Sequence, residues 1–101
     1  MPAAARTTDG TTNHTPCGPG KCSTGSSNVI INGLQAFRVG DKDTPHGVPQ
    51  GSPPSCVPHV TPLRQGSSNV LVNGKPLGRV GDAFFCGIRV ASGSGNVIVN
   101  G

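Results

Sequence analysis

The strongest constraint on the fold is a nine-residue segment that occurs three times. It reads GSSNVIING at residues 25–33, GSSNVLVNG at 66–74 and GSGNVIVNG at 93–101. The first two copies continue into an Arg-Val-Gly-Asp sequence, whereas the third is the last segment of the chain. The start of the chain supplies the missing continuation, because Arg6 and Asp9 stand in the register of the other two copies. The repeat therefore predicts a closed, pseudo-threefold structure whose two ends lie side by side.

Each copy is predicted to form a β-hairpin. A short β-branched run bounded by Gly, Ser and Asn is typical of a strand. The Asn-Gly pair that follows is the strongest short hairpin signal, because both residues can adopt positive φ. We expect the returning strands at residues 37–39, 77–80 and 4–7, and no segment shows helical periodicity. Alternate residues of the runs share one face and are assigned to the core: Val29, Ile31, Val70, Val72, Val97 and Val99. The fold class predicted is all-β, with residues 1–101 as a single domain.

The composition indicates that such a domain needs a cross-link. There are 16 Gly and 10 Pro and neither Trp nor Tyr, which alone would suggest disorder. Repeats in register argue against disorder, but so small an apolar core usually needs a disulfide, a metal or a partner. The net charge of +4 comes from scattered Lys and Arg with only three aromatic residues, so we expect a solvated basic surface and no nucleic-acid partner.

The connections between the hairpins carry all the histidines and cysteines. His14 and His46 each lie five residues after the Asp of their copy, and Cys86 lies four residues after its own. Three equivalent hairpins therefore deliver three possible metal ligands to one end of the structure. A structural zinc site has four ligands, and the longest connection carries one further histidine, His59. We predict that His14, His46, His59 and Cys86 hold one structural zinc ion.

The remaining cysteines allow other arrangements. The sequence is compatible both with a Cys17–Cys22 disulfide and with a four-cysteine metal site that includes Cys86. Neither follows the repeat, because Cys17 and Cys22 have no counterparts in the other copies. The preferred interpretation of these two residues and Cys56 is small buried thiols or a local redox-dependent bridge. No apolar run marks the N-terminal residues as a secretory signal, so we expect cytosolic synthesis with the cysteines reduced or on metal.

Three Arg-Asp pairs have the residue types of a catalytic pair. They occupy equivalent positions: Arg6 and Asp9, Arg38 and Asp41, Arg79 and Asp82. An enzyme rarely needs the same pair three times, so we interpret them as supports of the hairpin ends whose carboxylates accept turn amides. The chain has no Glu, its Gly-Ser pairs precede strands and not helices, and a four-ligand zinc leaves no position for water. We therefore predict that the protein is not an enzyme; a zinc hydrolase would need water as the fourth ligand.

These features together resemble the PAAR-repeat family over essentially the whole chain. The resemblance rests on PAAAR at residues 2–6, the two Asn-Gly hairpins with Arg-Val-Gly-Asp, and the last copy at 93–101. The middle copies depart from the Pro-Ala-Ala-Arg motif of the family, since they read QAFR at 35–38 and PLGR at 76–79. Members of the family are small β cones that cap the trimeric spike of type VI secretion systems, related contractile injection machines and phage tails. The resemblance implies a zinc ion near the apex, held by the four residues named above, and a role in envelope penetration and effector delivery.

Symmetry indicates how such a cone would meet its partner. One chain with three similar hairpins can offer each subunit of a trimer a similar surface. We expect one monomeric chain per trimeric β-helical spike protein, with effector proteins as further partners, no stable membrane association, and export on the spike tip after cytoplasmic assembly. Larger family members carry toxin extensions, whereas this chain is expected to be a bare tip. The predicted spike-facing base lies opposite the ligand loops and comprises Asn32, Gly33, Leu34, Asn73, Gly74, Lys75, Asn100, Gly101 and Pro2. The alternative is a free-standing zinc-stabilised adaptor that recruits effector proteins.

Overall fold

The fold consists of short antiparallel hairpins. The computed structural model describes residues 2–101, so Met1 of the predicted domain lies outside the described residues. The strands are β1 (Ile30–Ile31), β2 (Leu34–Gln35), β3 (His46–Gln50), β4 (Ser55–His59), β5 (Leu71–Val72) and β6 (Lys75–Pro76). They pair as β1 with β2, β3 with β4, and β5 with β6. Residues 2–101 contain no helix, and hence none that could cross a membrane. The all-β prediction is confirmed.

Both complete Asn-Gly pairs form the predicted turns. Asn32 and Gly33 have φ angles of 54° and 80°, and Asn73 and Gly74 have φ angles of 55° and 78°. Two successive residues with positive φ turn the chain back with the twist that an antiparallel pair requires. The turn residues therefore determine the register of β1 with β2 and of β5 with β6.

The third hairpin is built from the two ends of the chain. Ala3 forms an antiparallel bridge with Ile98, and the amide of Val99 donates to the carbonyl of Pro2 at 2.9 Å. The last copy of the repeat thus pairs with the first residues as its continuation. The predicted closure of the chain ends is confirmed.

A closed triangle of backbone hydrogen bonds joins the three copies. Ala5, Phe37 and Gly78 each stand four residues before the Asp of their copy. The amide of Ala5 donates to Gly78 at 2.9 Å, that of Gly78 to Phe37 at 2.7 Å, and that of Phe37 to Ala5 at 3.1 Å. Because each amide is satisfied by the next copy, no copy can leave without breaking two of these bonds.

The core has two parts. The turn-side cluster, next to the Asn-Gly turns, comprises Ala4, Ile31, Ala36, Val72, Leu77 and Val99. The loop-side cluster comprises Ala5, Cys22, Phe37, Leu63, Phe84, Ile88 and Val90. The second cluster was missed by the sequence analysis because most of its members come from irregular connections, where no alternation marks a buried face.

The predicted core positions differ in burial between the two ends of each run. Ile31, Val72 and Val99 are buried, whereas Val29 and Val70 pack only partly against them. The assignment of Val97 to the core is wrong, since it is 37% exposed. It belongs to the hairpin that the two chain ends form, which has an isolated bridge where the other two have a two-pair strand ladder.

The Arg-Asp pairs act as the predicted supports. In the first complete copy, the guanidinium of Arg38 contacts both carboxylate oxygens of Asp41, at 2.8 and 3.1 Å. The same carboxylate accepts the backbone amide of Arg38 at 2.9 Å, and the other two copies repeat this arrangement. The hydrogen bond to Asp41 raises the pKa of Arg38, against an opposing effect of burial. The pair therefore closes the turn between them at all three hairpin ends.

Three equivalent glycines allow neighbouring copies to approach closely. A Cβ added to Gly93 would lie 2.6 Å from the carbonyl oxygen of Ala4 and 2.9 Å from Cγ2 of Val80. Gly25 and Gly66 are similarly enclosed, with backbone oxygens at 2.7 and 3.0 Å from the added atom. The glycine that opens each copy is thus required for the copies to pack against one another.

We expect Gly93→Ala to lower the free energy of unfolding by about 1–3 kcal/mol, as overpacking does elsewhere. The carbonyl of Ala4 cannot move aside easily, because it accepts the amide of Ser94 at 2.8 Å. Gly95→Ala is the matched control, since nothing lies within 4 Å of a Cβ there. Urea denaturation of the two variants measures the difference, and equal stabilities would contradict this account of the repeat.

Candidate metal centre

The structure brings the four predicted ligands together. The donor atoms of His14, His46, His59 and Cys86 all lie within 4.8 Å of one another. His46 and His59 face each other at the open end of the β3–β4 hairpin, where they form a register pair. His14 approaches from the first connection, which follows Asp9, and Cys86 from the third, which follows Asp82. The β3–β4 hairpin belongs to the second connection, which follows Asp41. Three connections therefore converge on one point, and the role of the four residues as ligands stays a prediction.

The spacing of the donor atoms suits a tetrahedral ion. With bonds of the length that zinc makes, two nitrogens lie about 3.3 Å apart, and a nitrogen and a sulfur about 3.6 Å apart. Sγ of Cys86 lies 3.6 Å from Nε2 of His46. Nε2 of His46 and Nε2 of His59 are 2.7 Å apart, so binding of an ion between them would increase this distance by roughly half an ångström.

One buried nitrogen lacks a protein partner. Nε2 of His14 is inaccessible to solvent and makes no hydrogen bond to any of the described residues. A buried polar atom without a partner is uncommon in folded proteins and needs an explanation. A metal ion at the centre of the cluster would accept the lone pair of this nitrogen. The residues present therefore fit a bound cation.

The surroundings of His59 favour the form that binds metal. Burial lowers the pKa of His59, and the neighbouring His46 and His14 lower it further. Asp43 opposes this shift, but the net direction is downward. Because the neutral imidazole is the metal ligand, the cluster keeps His59 available for coordination.

Two further residues contact the cluster from outside. Asp43 contacts Nδ1 of His46 through its Oδ2, and both side chains are completely buried. Oδ1 of Asp43 accepts the amide of Thr61 at 3.0 Å, and the hydroxyl of Thr61 lies 3.1 Å from Sγ of Cys86. The repeat predicts neither residue, because neither has a counterpart in the other copies. The available signal was the position of Asp43 three residues before a predicted ligand.

A disulfide lies next to the cluster. Cys17 and Cys56 are joined, with their Cα atoms 5.8 Å apart and 39 positions between them in the sequence. The bond crosses Gly47, where a Cβ would lie 2.7 Å from that of Cys56 and 3.0 Å from that of Cys17. The absence of a side chain at Gly47 thus allows the first connection to approach the β3–β4 hairpin.

The disulfide corrects the predictions for the cysteines. The expectation that all four are reduced or on metal, and the preference for Cys17 and Cys56 as thiols or a local bridge, were wrong. Neither residue has a cysteine at the equivalent position of the other connections, so their approach could not be deduced from the repeat. Cys22 is a free, buried thiol, as preferred, and burial together with Asp9 and Asp43 raises its pKa.

The Asn-Gly turns are largely open to solvent, and two of them bond the start of a neighbouring copy. The amide group of Asn32 donates to Asn96 at 2.8 Å, and that of Asn73 donates to Asn28 at 2.8 Å. Of the nine predicted base residues, seven are exposed, while Leu34 and Pro2 are half-buried. Their role in contacting a spike stays a prediction.

Each hairpin also exposes one large apolar side chain close to its turn. These residues are the central members of the three β-branched runs, and we call them the exposed triad: Ile30, Leu71 and Ile98. They are 54%, 63% and 52% exposed, respectively. The triad is absent from the predicted base, because the sequence analysis followed the turn residues alone.

One family model matches more than half of the chain. A family model described as the PAAR motif matches residues 50–101. The matched segment contains two copies of the repeat and two of the four clustered residues, His59 and Cys86. No curated protein matches the chain.

We expect removal of the metal to lower the melting temperature at neutral pH, because the ion would hold three connections together. Loss of even about 3 kcal/mol of stability shifts the melting temperature of a domain of this size by roughly 12–24 °C. Thermal unfolding before and after chelation, with metal content measured in both samples, tests this. An unchanged melting temperature after verified removal of the metal would refute a structural role for the ion.

We expect the double substitution of Cys17 and Cys56 by serine to lower the free energy of unfolding by roughly 2–5 kcal/mol, since the closed loop no longer restricts the unfolded chain. Chemical denaturation measures the loss, and reduced wild-type protein is the control that should match the variant. Removal of the metal should also lower the free energy of unfolding of the variant by more than that of the wild type, because metal and disulfide both join the first connection to the second. Full stability without the disulfide would count against this prediction.

Proposed function

The chain belongs to the PAAR motif family, and from this premise we propose that it caps the trimeric spike of a contractile injection machine, such as a type VI secretion system. One chain binds one trimeric β-helical spike protein and closes its end. The cap sharpens the spike, and so aids penetration of an envelope and delivery of effector proteins. After assembly in the cytoplasm, it leaves the cell on the spike tip.

The observation that carries this proposal is the threefold equivalence of one end of the chain. The exposed triad places one large apolar side chain beside each hairpin turn, and its members differ by little in exposure. Isolated exposed apolar residues are ordinary, but a set repeated in register indicates a surface that a partner covers. A homotrimer presents three identical subunits around an axis, so it can contact all three side chains in the same way.

The spike-facing base in this proposal combines the exposed triad with the nine turn residues predicted from the sequence. The turns supply open backbone groups at the ends of short hairpins, which can extend the strands of a β-helical spike. The triad supplies the apolar area. The side chains of Asn32 and Asn73 already bond neighbouring hairpins, so these turns offer a partner backbone groups and not side-chain amides.

We assign the metal of this cap to zinc. Three imidazole nitrogens and one thiolate suit zinc, which accepts both kinds of donor in a tetrahedral site. With four protein ligands the ion keeps no position for water, and its role is therefore structural and not catalytic. The ion stiffens the end of the cap by joining three connections, which resists splaying when the tip is driven forward.

Leu71→Asp should weaken the binding of the chain to its trimeric spike protein. Burying a carboxylate in an apolar contact costs about 2 kcal/mol or more at a well-packed position, which is roughly a 30-fold loss of affinity. Leu71 is 63% exposed, so the substitution should leave the fold intact. Val57→Asp is the matched control, because Val57 is also exposed, at 47%, but lies on β4 away from the turns.

Co-purification and the mass of the complex provide the measurement, with one chain per trimer expected for the wild type. If Leu71→Asp binds normally while Val57→Asp does not, the spike contacts the opposite end of the chain. If the chain binds effector proteins but no trimeric spike, it is a zinc-stabilised adaptor and the cap proposal is wrong.

A further inference from the structure

We propose that Asp43 and Thr61 form an outer shell of the metal centre. Asp43 balances the net charge of the ion with its four ligands and orients the ring of His46, and Thr61 donates a hydrogen bond to the sulfur of Cys86. This inference rests on the metal site of the proposed function and is independent of the spike partner.

Asp43 is the one acidic residue whose charge no Lys or Arg of the described residues balances. The chain has four acidic residues, and the other three each pair with an Arg three positions earlier. Among the residues that the structure describes, no Lys or Arg pairs with Asp43, although its side chain is completely buried. A buried carboxylate needs a compensating charge. A divalent cation with three neutral imidazoles and one thiolate keeps a single net positive charge, which the carboxylate of Asp43 neutralises.

The contact between Asp43 and His46 also determines which nitrogen faces the metal. Neither Oδ2 of Asp43 nor Nδ1 of His46 has another polar partner within residues 2–101. The carboxylate therefore holds the imidazole proton on Nδ1 and leaves the lone pair on Nε2. That lone pair lies toward the other donors, 2.7 Å from Nε2 of His59 and 3.6 Å from Sγ of Cys86. A carboxylate on the far nitrogen of a ligating histidine orients the ring and strengthens it as a donor.

Thr61 extends the same shell from the second connection to Cys86 in the third. Its amide donates to Oδ1 of Asp43 at 3.0 Å, which fixes the carboxylate that contacts His46. Its hydroxyl lies 3.1 Å from Sγ of Cys86. When Cys86 binds a metal as a thiolate, the hydroxyl donates to the sulfur, since a thiolate has no proton to give. One pair of outer residues thus links ligands from the second and third connections.

Asp43→Asn tests the role of the carboxylate. The substitution keeps the size of the side chain and removes its charge, and we expect a 10- to 100-fold loss of zinc affinity in competition with a chromophoric chelator. The matched control is Asp41→Asn in the same connection, because Asp41 pairs with Arg38 and not with a ligand. The control should bind zinc with wild-type affinity even where it lowers stability.

Thr61→Val tests the hydroxyl, with cobalt(II) as the probe. A thiolate that loses a hydrogen-bond donor gives up its electrons more readily, so the sulfur-to-cobalt charge-transfer band should move to lower energy. Thr61→Ser should restore the band, and Thr24→Val should leave it unchanged, because the hydroxyl of Thr24 bonds Asp41 and no ligand. A merely structural role of Thr61 would not move this band.

The outcomes separate the two proposals. If the wild type binds neither zinc nor cobalt, the metal centre itself is wrong and the outer shell fails with it. If the wild type binds zinc and Asp43→Asn binds it equally tightly, the outer shell is wrong while the metal centre stands. If Asp43→Asn does not fold, the cobalt spectrum of Thr61→Val decides, and an unchanged band overturns the inference.

Discussion

The pairing of the first residues with the last copy of the repeat is the contact on which the structure depends. Without the bridge from Ala3 to Ile98, the third copy would lack a returning strand, and the triangle of backbone hydrogen bonds could not close. The triangle in turn fixes the directions in which the three connections leave the hairpins. Those directions bring His14 and Cys86 to the paired histidines of β3 and β4.

The sequence predicted those features that the repeat governs. The phase of the copies was sufficient to predict the closure, the two Asn-Gly turns and the convergence of His14, His46 and Cys86. His59 followed as the remaining histidine. The Cys17–Cys56 disulfide could not be predicted, since it joins two connections of different length whose paths depend on tertiary packing. The loop-side cluster was equally hidden, because irregular backbone places its side chains without any periodic spacing.

The disulfide and the His/Cys cluster do not join the same set of connections. The disulfide joins only the first and second connections, whereas the His/Cys cluster also reaches the third through Cys86. Within the described part of the chain, the third connection is otherwise held by packing of residues such as Phe84 and Ile88 and by hydrogen bonds. Asp43 and Thr61 belong to the second connection, and they contact His46 and, in the third connection, Cys86.

The near-equivalence of the three corners has a consequence for orientation. A chain whose corners were identical could sit on a threefold axis in three rotational poses, which contributes about 0.65 kcal/mol of favourable mixing entropy. The corners here differ slightly. Arg6 and Arg38 each bond the asparagine of a neighbouring turn, at 3.2 and 3.0 Å, and Arg79 makes no such bond within residues 2–101. On the proposed trimeric spike the three poses would therefore differ little, and an image of that complex refined with imposed threefold symmetry would blur the single seam where the chain ends meet.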